Sequence, residues 1–330
     1  MRAVWFEKKG PAQDVLVHGE MPDPTPGVGE VRVRVHVAGI NPTDTKTRGG
    51  WLGMTAMPFP RMITGQDGAG VIEAVGAGVP HTRIGERVWV YEAYLGRAFG
   101  TTAEFVVVPA HQAVRLPDGI DFDTGAGLGV PALTAHRCLF ADGPIHGRTV
   151  LVQGGGGGVG NAAIQLARWA GARVFATVSK PAQEAAAVEA GAHLIVNRKA
   201  QNVVEAVNDA TGGRGVDRII EVAFDENIQA DADMLAIGGA IATYSAGPVP
   251  QPLIPFFTLM RKSQTVHFVL VYTMGDHAHQ VAVRDVTACL ESGQYRTQVG
   301  ARFPLARTAD AHDAQDSGSV VGKVLVDIDG

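Results

Sequence analysis

Hydrophobic and polar residues alternate in short segments over the first third of the chain. Val31–Val37 places a valine at every second position, which is the period of a strand with one buried face. Segments bounded by glycine or proline predict further strands at Gly70–Gly76, Gly85–Val90 and Glu104–Pro109. Short strands at this spacing predict a β-rich, barrel-like domain.

From Asp123 onward the pattern changes to alternating strands and helices. A helical pattern covers Asp123–Phe140. The predicted strands that follow are Thr149–Gln153, Arg173–Val178, His193–Val196, Asp217–Val222 and Ala240–Thr243. The predicted helices between them, several ending at glycine, are Asn161–Trp169, Pro181–Ala190, Val203–Thr211 and Ile228–Ile237. Repeated strand–helix units with short buried strands predict a parallel, doubly wound sheet, so the fold class is α/β.

Composition and charge limit the number of domains and the kinds of partner and metal site that the chain can have. The chain has 330 residues, enough for two domains, with 46% hydrophobic and 18% charged residues. Its net charge of −5 provides no broad positive field, so we expect neither a nucleic-acid partner nor an anionic membrane surface. The two cysteines, Cys138 and Cys289, are far apart, which argues against a disulfide framework or a clustered zinc site.

The lengths of the apolar segments indicate where the protein is located in the cell. The N-terminus becomes charged at Glu7-Lys8-Lys9 after a few apolar residues, unlike the apolar centre of a signal peptide. No apolar run approaches the roughly 18 residues of a membrane span. Together with the low cysteine count, these features predict a cytoplasmic protein.

A glycine-rich loop follows the predicted strand Thr149–Gln153. The run Gly154-Gly155-Gly156-Gly157-Gly158-Val159-Gly160 contains the spacing Gly155-x-Gly157-x-x-Gly160. In such a motif the first glycine permits a tight turn, the second admits a pyrophosphate, and the third lets the helix pack closely. A flexible linker is the alternative, but the strand–loop–helix context favours a dinucleotide site with phosphates at the helix N-terminus.

The end of the next strand indicates which dinucleotide binds. A site for NADH has an acidic residue about 20 positions after the loop, to bond the ribose 2′-hydroxyl. This stretch instead contains Thr177, Ser179 and Lys180, and Arg198 follows the third strand. Hydroxyl and cationic groups suit a 2′-phosphate, so we predict NADPH as the cofactor. In the alternative interpretation, Lys180 and Arg198 are solvated surface charges.

Several segments, in order along the chain, resemble one known family. They are Ala38–Asp44, Gly65–Ile72, Gly85–Val88, Gly129–Ala135, the glycine loop and Gly322–Val324. They are similar to the zinc-free quinone oxidoreductases (zeta-crystallin-like proteins) of the medium-chain dehydrogenase/reductase superfamily. The resemblance implies a GroES-like catalytic domain at residues 1–122, a Rossmann NADPH-binding domain at 123–267, and a return to the catalytic domain at 268–330. It also implies an active site in the cleft between domains and a homodimer or homotetramer.

The resemblance also bears on metal chemistry. Zinc alcohol dehydrogenases, which share the fold, have a cysteine where this chain has Asn41 and a His-Glu pair where it has Gln66-Asp67. A catalytic zinc needs three protein ligands of the Cys, His or carboxylate type, so we predict no metal. Without a Lewis acid, alcohol–ketone interconversion is disfavoured. Hydride transfer to a quinone or another conjugated carbonyl is easier, because the charge spreads into a phenolate or enolate.

The resemblance also identifies candidates for the remaining site residues. The resemblance places Thr134 beside the nicotinamide and Lys323 near the cofactor, and the Asn41 amide would bond the nicotinamide ribose or the substrate oxygen. It places Ser245, Phe268 and Leu270 where the backbone contacts the ribose and carboxamide. Arg48 and Gln66 would polarise an acceptor oxygen. Structural roles remain open for all of them: an Asn-Pro turn for Asn41, a backbone-bonded helix hydroxyl for Thr134, core packing for the strand-end residues, and a surface lysine for Lys323.

Three functions are consistent with these features. The first is an NADPH-dependent reductase of quinones or related conjugated carbonyls. The second is a reductase of enoyl or alkenal double bonds, acting on free, CoA-linked or carrier-linked substrates. The third is a non-enzymatic NADPH-binding protein, which the complete nucleotide loop disfavours.

Overall fold

A computed structural model describes residues 1–51, 55–247, 249 and 251–329. Its strands are β1 (Arg2–Phe6), β2 (Val17–Glu20), β3 (Glu30–Ile40), β4 (Met62–Ile63), β5 (Asp67–Val75), β6 (Arg87–Val90), β7 (Phe105–Pro109), β8 (Ala113–Arg115), β9 (Thr149–Val152), β10 (Arg173–Val178), β11 (Leu194–Asn197), β12 (Val216–Glu221), β13 (Leu235–Thr243), β14 (Thr265–Phe268), β15 (Val299–Pro304) and β16 (Lys323–Asp327). Its helices are α1 (Ala12–Val15), α2 (Pro42–Gly49), α3 (Phe122–Ala126), α4 (Gly129–Phe140), α5 (Gly158–Trp169), α6 (Pro181–Glu189), α7 (Val203–Thr211), α8 (Phe224–Met234), α9 (Phe256–Arg261), α10 (Asp276–Glu291) and α11 (Thr308–Asp316).

The chain divides into two compact units. The first comprises Met1–Val130 and Arg296–Gly330, and the second comprises Pro131–Tyr295. The sequence predicted boundaries after residues 122 and 267 instead. The first boundary lies later because α3 packs within the first unit, where Thr297 Oγ1 donates to Thr124 O at 2.9 Å. The second lies later because α10 packs within the second unit, where His136 Nε2 and Asp285 Oδ2 lie 2.9 Å apart.

The first unit is built on a mainly antiparallel sheet. Within the described residues its strand order is β15-β16-β3-β5-β6-β8, and β7 also pairs with β3. The long strand β3 pairs with β5 along one edge, and with β7 and then β16 along the other. Val31, Val33 and Val35 are at most 1% exposed, so the predicted alternation and the β-rich first domain are confirmed.

The second unit contains a parallel sheet in the order β11-β10-β9-β12-β13-β14. The chain builds outward from β9 to β11 and then continues from β12 on the other side of β9. This order confirms the predicted doubly wound sheet. In such sheets ligands bind beyond the carboxyl ends of the strands, where the order reverses, which here lies between β9 and β12.

One helix and the strand after it differ from the prediction. The sequence predicted a helix at Ile228–Ile237, a glycine stop and a strand at Ala240–Thr243. Helix α8 instead ends at Met234, and β13 begins at Leu235. Leu235 pairs with Val216 of β12, and Lys262 Nζ donates to Leu235 O at 3.0 Å, so distant partners stop the helix early. Within the described residues, no helix has the length and apolarity required to cross a bilayer.

Candidate functional site

The glycine loop joins β9 to α5 in the second unit. Gly157 occupies the N-cap position, so α5 begins at Gly158, three residues before the predicted start at Asn161. The first intrahelical bond runs from Asn161 N to Gly157 O at 2.8 Å. The N–H groups of Gly158, Val159 and Gly160 therefore precede the helical ladder and, with the positive end of the helix dipole, form an anion-binding terminus.

The glycines of the loop have different roles from one another. The left-handed turn is made by Gly154, with φ of +74°, and not by Gly155 as the motif predicted. A Cβ at Gly160 would lie 2.2 Å from Gly154 O, so only glycine allows the helix to pack on the turn. A Cβ at Gly157 would meet nothing closer than Gly154 O at 3.5 Å, and Gly157 is exposed. Gly157 therefore leaves backbone open to a ligand.

Thr177 supports the loop from beneath. It is 1% exposed, and its hydroxyl accepts from Gly154 N at 3.1 Å and donates to Gln153 Oε1 at 2.7 Å. Its carbonyl oxygen accepts from Gly155 N at 2.9 Å. The hydroxyl and carbonyl groups of Thr177 therefore support the loop and the strand end before it, and its predicted contact with the cofactor stays a prediction.

The carboxyl ends of β10 and β11 bring the predicted phosphate-binding side chains to one edge. Val178 pairs in register with Asn197, and Arg198 N donates to Val178 O at 2.9 Å. Ser179 and Lys180 directly follow Val178, so they lie at the same edge as Arg198. Lys180 and Arg198 are exposed, and neither forms an ion pair within the described residues. Both cations are available to an anionic ligand.

Gln183, in the first turn of α6, is a site residue that the sequence did not reveal. Its Oε1 accepts from Ser179 N at 2.9 Å and from Ser179 Oγ at 3.0 Å. Its side chain packs on Gly156, where a Cβ would lie 2.5 Å from Gln183 Cγ. Because Oε1 is used twice, the Nε2 donors of Gln183 remain for a ligand among Ser179, Lys180 and the glycine loop.

The predicted nicotinamide contacts follow the other strands of the same sheet. Ser245 is partly buried beyond β13, and its carbonyl accepts from Phe224 N at 3.3 Å. Phe268 pairs with Thr243 and is 75% exposed, and Leu270 is 53% exposed. All three lie at the carboxyl edge that also carries the glycine loop. Thr134 is 4% exposed within α4, and its predicted contact with nicotinamide stays a prediction.

The first unit contains a separate buried polar cluster. Lys323 Nζ donates to Asn41 Oδ1 at 2.5 Å and to Asp67 Oδ2 at 2.8 Å. Asn41 Nδ2 donates to the same Asp67 oxygen at 2.8 Å, and Val130 N donates to Asp67 Oδ1 at 2.8 Å. Asn41, Asp67 and Lys323 are each at most 4% exposed. Lys323 is therefore not a surface lysine, and Asn41 does more than form a turn.

Asp44 anchors the cluster to the backbone. It accepts from Asn41 N at 2.7 Å, Gly65 N at 2.9 Å and Gln66 N at 3.2 Å. Its burial, together with the nearby charge of Asp67, raises its pKa to about 6. Asp44 thus fixes the start of α2 and the turn before β5, which are the segments carrying Asn41 and Gln66.

Gln66 and Arg48 have different surroundings. Gln66 is 2% exposed, and its Oε1 accepts from Tyr94 N at 3.3 Å, which leaves its Nε2 without a partner in the described part of the chain. Arg48 donates to Gly10 O at 2.7 Å and to Asp316 Oδ2 at 2.8 Å. Arg48 therefore ties α2 to the N-terminal segment and α11 and is not part of the polar cluster.

Comparisons with known proteins agree with this architecture. The family profile described as an alcohol dehydrogenase GroES-like domain matches residues 27–118, and that described as a zinc-binding dehydrogenase matches 158–288. Human quinone oxidoreductase is 30% identical over 329 residues, covering 99% of this chain and 97% of that protein. A 2-haloacrylate reductase from Burkholderia sp. is 29% identical over 338 residues, covering 99% and 98%.

Solved structures give the same result. A mycobacterial quinone oxidoreductase superposes with a TM-score of 0.86 at 27% identity and covers 99% of this chain and 100% of that chain. A mycobacterial protein complexed with NADPH has a TM-score of 0.84 at 27% identity, with the same coverage. An NAD-dependent alcohol dehydrogenase has a TM-score of 0.87 at 28% identity, again covering 99% and 100%. The predicted GroES-like and Rossmann fold class is thus confirmed.

Proposed function

The chain belongs to the quinone oxidoreductase family of medium-chain oxidoreductases, and on this premise we propose that it is an NADPH-dependent reductase of quinones and related conjugated carbonyls. The family membership makes the chain an oxidoreductase. Residues of both units support the proposed cofactor, acceptor and chemistry.

The edge formed by β10 and β11 carries the choice of NADPH. Ser179, Lys180 and Arg198 meet there beside the glycine loop, and both cations lack carboxylate partners in the described residues. No acidic residue occupies positions 179–183, where a carboxylate would bond a free ribose 2′-hydroxyl and repel a 2′-phosphate. These residues fit the extra phosphate of NADPH better than the free hydroxyl of NADH.

The polar cluster of the first unit does not fit a catalytic zinc. Asn41 and Gln66 offer amide groups, and Asp67 offers the one carboxylate at these positions. The Lys323 ammonium already lies against the Asn41 and Asp67 oxygens, where a second cation would be repelled. Within the described residues, no three His, Cys, Asp or Glu side chains are grouped to hold a metal. We therefore assign a reaction that proceeds without zinc.

The proposed chemistry needs little from the protein beyond positioning. Bound NADPH supplies a hydride, and conjugation in the acceptor spreads the resulting negative charge. The glycine loop, Lys180 and Arg198 hold the cofactor. Asn41 and Gln66, with Thr134, are the proposed donors to the acceptor or nicotinamide, and Lys323 holds the Asn41 amide in a fixed orientation. Donors fixed before the reaction stabilise developing charge without reorganising.

A reductase of activated carbon–carbon double bonds is the second candidate. The similarity to a 2-haloacrylate reductase over nearly the whole chain favours it specifically. Hydride transfer to the β-carbon of an enoyl or alkenal substrate yields an enolate, which requires the same donors as a quinone. A non-enzymatic NADPH-binding protein is the outcome if no acceptor is reduced.

The proposal also covers the protein's location, partners and assembly. The net charge of −5 and the two buried, unpaired cysteines fit a cytoplasmic protein whose partner is a small-molecule quinone or enone. The same charge does not favour nucleic acid or a membrane surface. A homodimer or homotetramer is the assembly that the family resemblance implies, and sedimentation of the purified protein tests it.

The decisive experiment measures oxidation of NADPH and NADH with four acceptors. The acceptors are para-benzoquinone, phenanthrenequinone, hexenal and crotonyl-CoA, with metal analysis of the same preparation. The proposal expects turnover of a quinone with NADPH preferred over NADH, and no stoichiometric zinc. Turnover of hexenal or crotonyl-CoA alone supports the second candidate. NADPH binding without turnover supports the binding protein, and one zinc per chain would return the protein to alcohol dehydrogenase chemistry.

A further inference from the structure

Two carboxyl groups lie side by side in the interior of the second unit. Glu221 is the last residue of β12, Asp231 lies on α8, and both are 0% exposed. Glu221 is a close neighbour of Asp231, and its negative charge acts on the Asp231 carboxyl. Two neighbouring buried carboxylates cannot both hold a negative charge at modest cost, because burial removes their solvation and neither forms a salt bridge with any described residue.

The hydrogen bonds to the two carboxyl groups leave one oxygen without a donor. Asp231 Oδ1 accepts from Gln153 Nε2 at 2.9 Å, while Asp231 Oδ2 has no donor among the described residues. Glu221 Oε1 accepts from Ala223 N and, at 3.1 Å, from Asn227 Nδ2. Burial first, and the Glu221 charge second, raise the pKa of Asp231. A proton on Asp231 Oδ2 would give this buried oxygen the hydrogen bond that it lacks, with Glu221 as the acceptor.

In the part of the chain that the structure describes, no neighbouring cation compensates the pair. Tyr244, after β13, faces Glu221, and burial raises the pKa of its hydroxyl, so it is neutral. Burial raises the pKa of the nearby Cys138 thiol to about 12, so it is also neutral. Arg218, on the same strand as Glu221, donates to Cys138 O at 2.7 Å and pairs with Asp142. The remaining partners, Gln153 and Asn227, are neutral amides.

The pair is connected to the glycine loop by an unbroken chain of bonds. Gln153 bonds Asp231 through Nε2 and accepts the Thr177 hydroxyl at Oε1, at 2.7 Å. The Thr177 hydroxyl in turn accepts from Gly154 N at 3.1 Å, at the turn of the loop. On the other side, Glu221 O accepts from Tyr244 N at 3.2 Å, next to Ser245. The carboxyl pair is thus connected to the glycine loop through side chains, whereas its link towards Ser245 runs through the main chain of Glu221.

We propose that Glu221 and Asp231 share one buried proton and are positioning residues, which hold the glycine loop, through Gln153 and Thr177, in the form that binds NADPH phosphates. The inference rests on the proposed function for its ligand, and on the bonds above for its mechanism. Loss of the proton places two like charges in the interior and breaks the bond between them. NADPH affinity therefore falls as the pH rises, although neither carboxyl group itself contacts the cofactor.

The test combines variants with a pH series. Asp231→Asn keeps an acceptor for Gln153 and supplies a permanent N–H donor to Glu221, so it imitates the protonated acid. Asp231→Ala removes both bonds. Asp233→Asn alters an exposed acid on the same helix and is the matched control. NADPH dissociation constants are measured by fluorescence between about pH 7 and about pH 10, together with thermal unfolding.

The expected result is specific to the shared proton. Wild type and Asp233→Asn lose NADPH affinity by about tenfold or more over this range, whereas Asp231→Asn loses distinctly less. Asp231→Ala binds NADPH at least about tenfold more weakly at every pH. Infrared spectra at about pH 8 show a protonated carboxylic acid band in wild type that is absent from Asp231→Asn, since Asp44, with a pKa of about 6, is ionised there.

Two results would overturn the inference. One is an Asp231→Asn protein that is folded yet binds NADPH as weakly as Asp231→Ala. The other is the absence of the infrared band from wild type, which decides the matter even if Asp231→Ala fails to fold. Wild-type protein that binds no NADPH at any pH overturns the proposed function instead, and the infrared band then still decides whether the proton is shared.

Discussion

Lys323 Nζ lies 2.5 Å from Asn41 Oδ1, although 282 positions of sequence separate the two residues. The ammonium fixes which end of the Asn41 amide is the oxygen, because only an oxygen accepts from it. One Nδ2 hydrogen of Asn41 is used by Asp67, which leaves the other for a ligand. The geometry thus makes Asn41 a donor of fixed direction.

Replacing Lys323 with methionine should destabilise the protein. Lys323→Met leaves the Asp67 carboxylate buried at 0% exposure without its cation, which costs about 3–5 kcal/mol of unfolding free energy. Urea unfolding measures this loss. The double variant Lys323→Met/Asp67→Asn has no unpaired charge and should recover much of it. If the double variant is no more stable than Lys323→Met, the ion pair is not the cause.

Two glycines of the loop should respond differently to alanine. Gly160→Ala places a Cβ 2.2 Å from Gly154 O and should lower the unfolding free energy by about 3 kcal/mol as well as abolishing NADPH binding. Gly157→Ala meets no atom within 3.4 Å, so its melting temperature should stay close to wild type while NADPH binds more weakly. Thermal unfolding and calorimetric titration separate the two cases, and unchanged binding by Gly157→Ala would place the pyrophosphate elsewhere.

The exposed cations should select between the two nicotinamide cofactors. Lys180→Ala/Arg198→Ala should weaken NADPH binding by about 1–3 kcal/mol and leave NADH binding nearly unchanged, because only NADPH carries the 2′-phosphate. Dissociation constants for both cofactors test this. Lys199→Ala, which removes an exposed cation next to Arg198, is the control. Equal losses for NADPH and NADH would refute the assignment.

Substitution of Gln183 should shift the cofactor preference from NADPH towards NADH. In Gln183→Glu, one carboxylate oxygen still accepts from Ser179 N and Oγ, so the local bonds are kept. The second oxygen replaces the Nε2 donors with negative charge, which repels a 2′-phosphate and accepts from a 2′-hydroxyl. The ratio of NADPH to NADH affinity should fall by about tenfold or more. An unchanged ratio would mean that Gln183 does not face the 2′-position.

His312 should make stability depend on pH. It is 0% exposed, and burial with the Arg48 charge lowers its pKa to about 3. In the unfolded chain the imidazole takes up a proton near pH 6.5. Between about pH 6.5 and about pH 3 the unfolded state therefore binds more protons than the folded state. The free energy of unfolding decreases as the pH is lowered through this range, by up to about 1.4 kcal/mol per pH unit. Asp44, whose folded pKa is raised, acts in the opposite direction, so the comparison must be with a matched variant.

The matched variant is His312→Gln, whose Nε2 can keep the 3.2 Å contact with Thr64 Oγ1 without titrating. Urea unfolding from about pH 7 to about pH 4 should show a smaller loss of stability in His312→Gln than in wild type. Parallel pH profiles for the two proteins would show that His312 is not held neutral in the folded state.

The sequence alone determined the features that depend on neighbours along the chain. Strict alternation predicted β3, and repeated strand–helix units predicted the parallel sheet, because each period decides which side chains share a face. The glycine loop was recognisable because its turn, its open backbone and its close-packed helix all fall within Gly154–Gly160. Ser179, Lys180 and Arg198 were predictable because parallel strands end at one edge.

The tertiary structure decided the rest, since it depends on partners distant in sequence. Leu235 joined β13 because β12 paired with it, although Gly238 suggested that the helix continued to Ile237. Nothing local marks Lys323 as the partner of Asn41, or Asp231 as the partner of Glu221. A charged or polar side chain becomes buried only when folding supplies its hydrogen-bond partners, and that pairing is a property of three-dimensional packing, which no periodicity along the chain records.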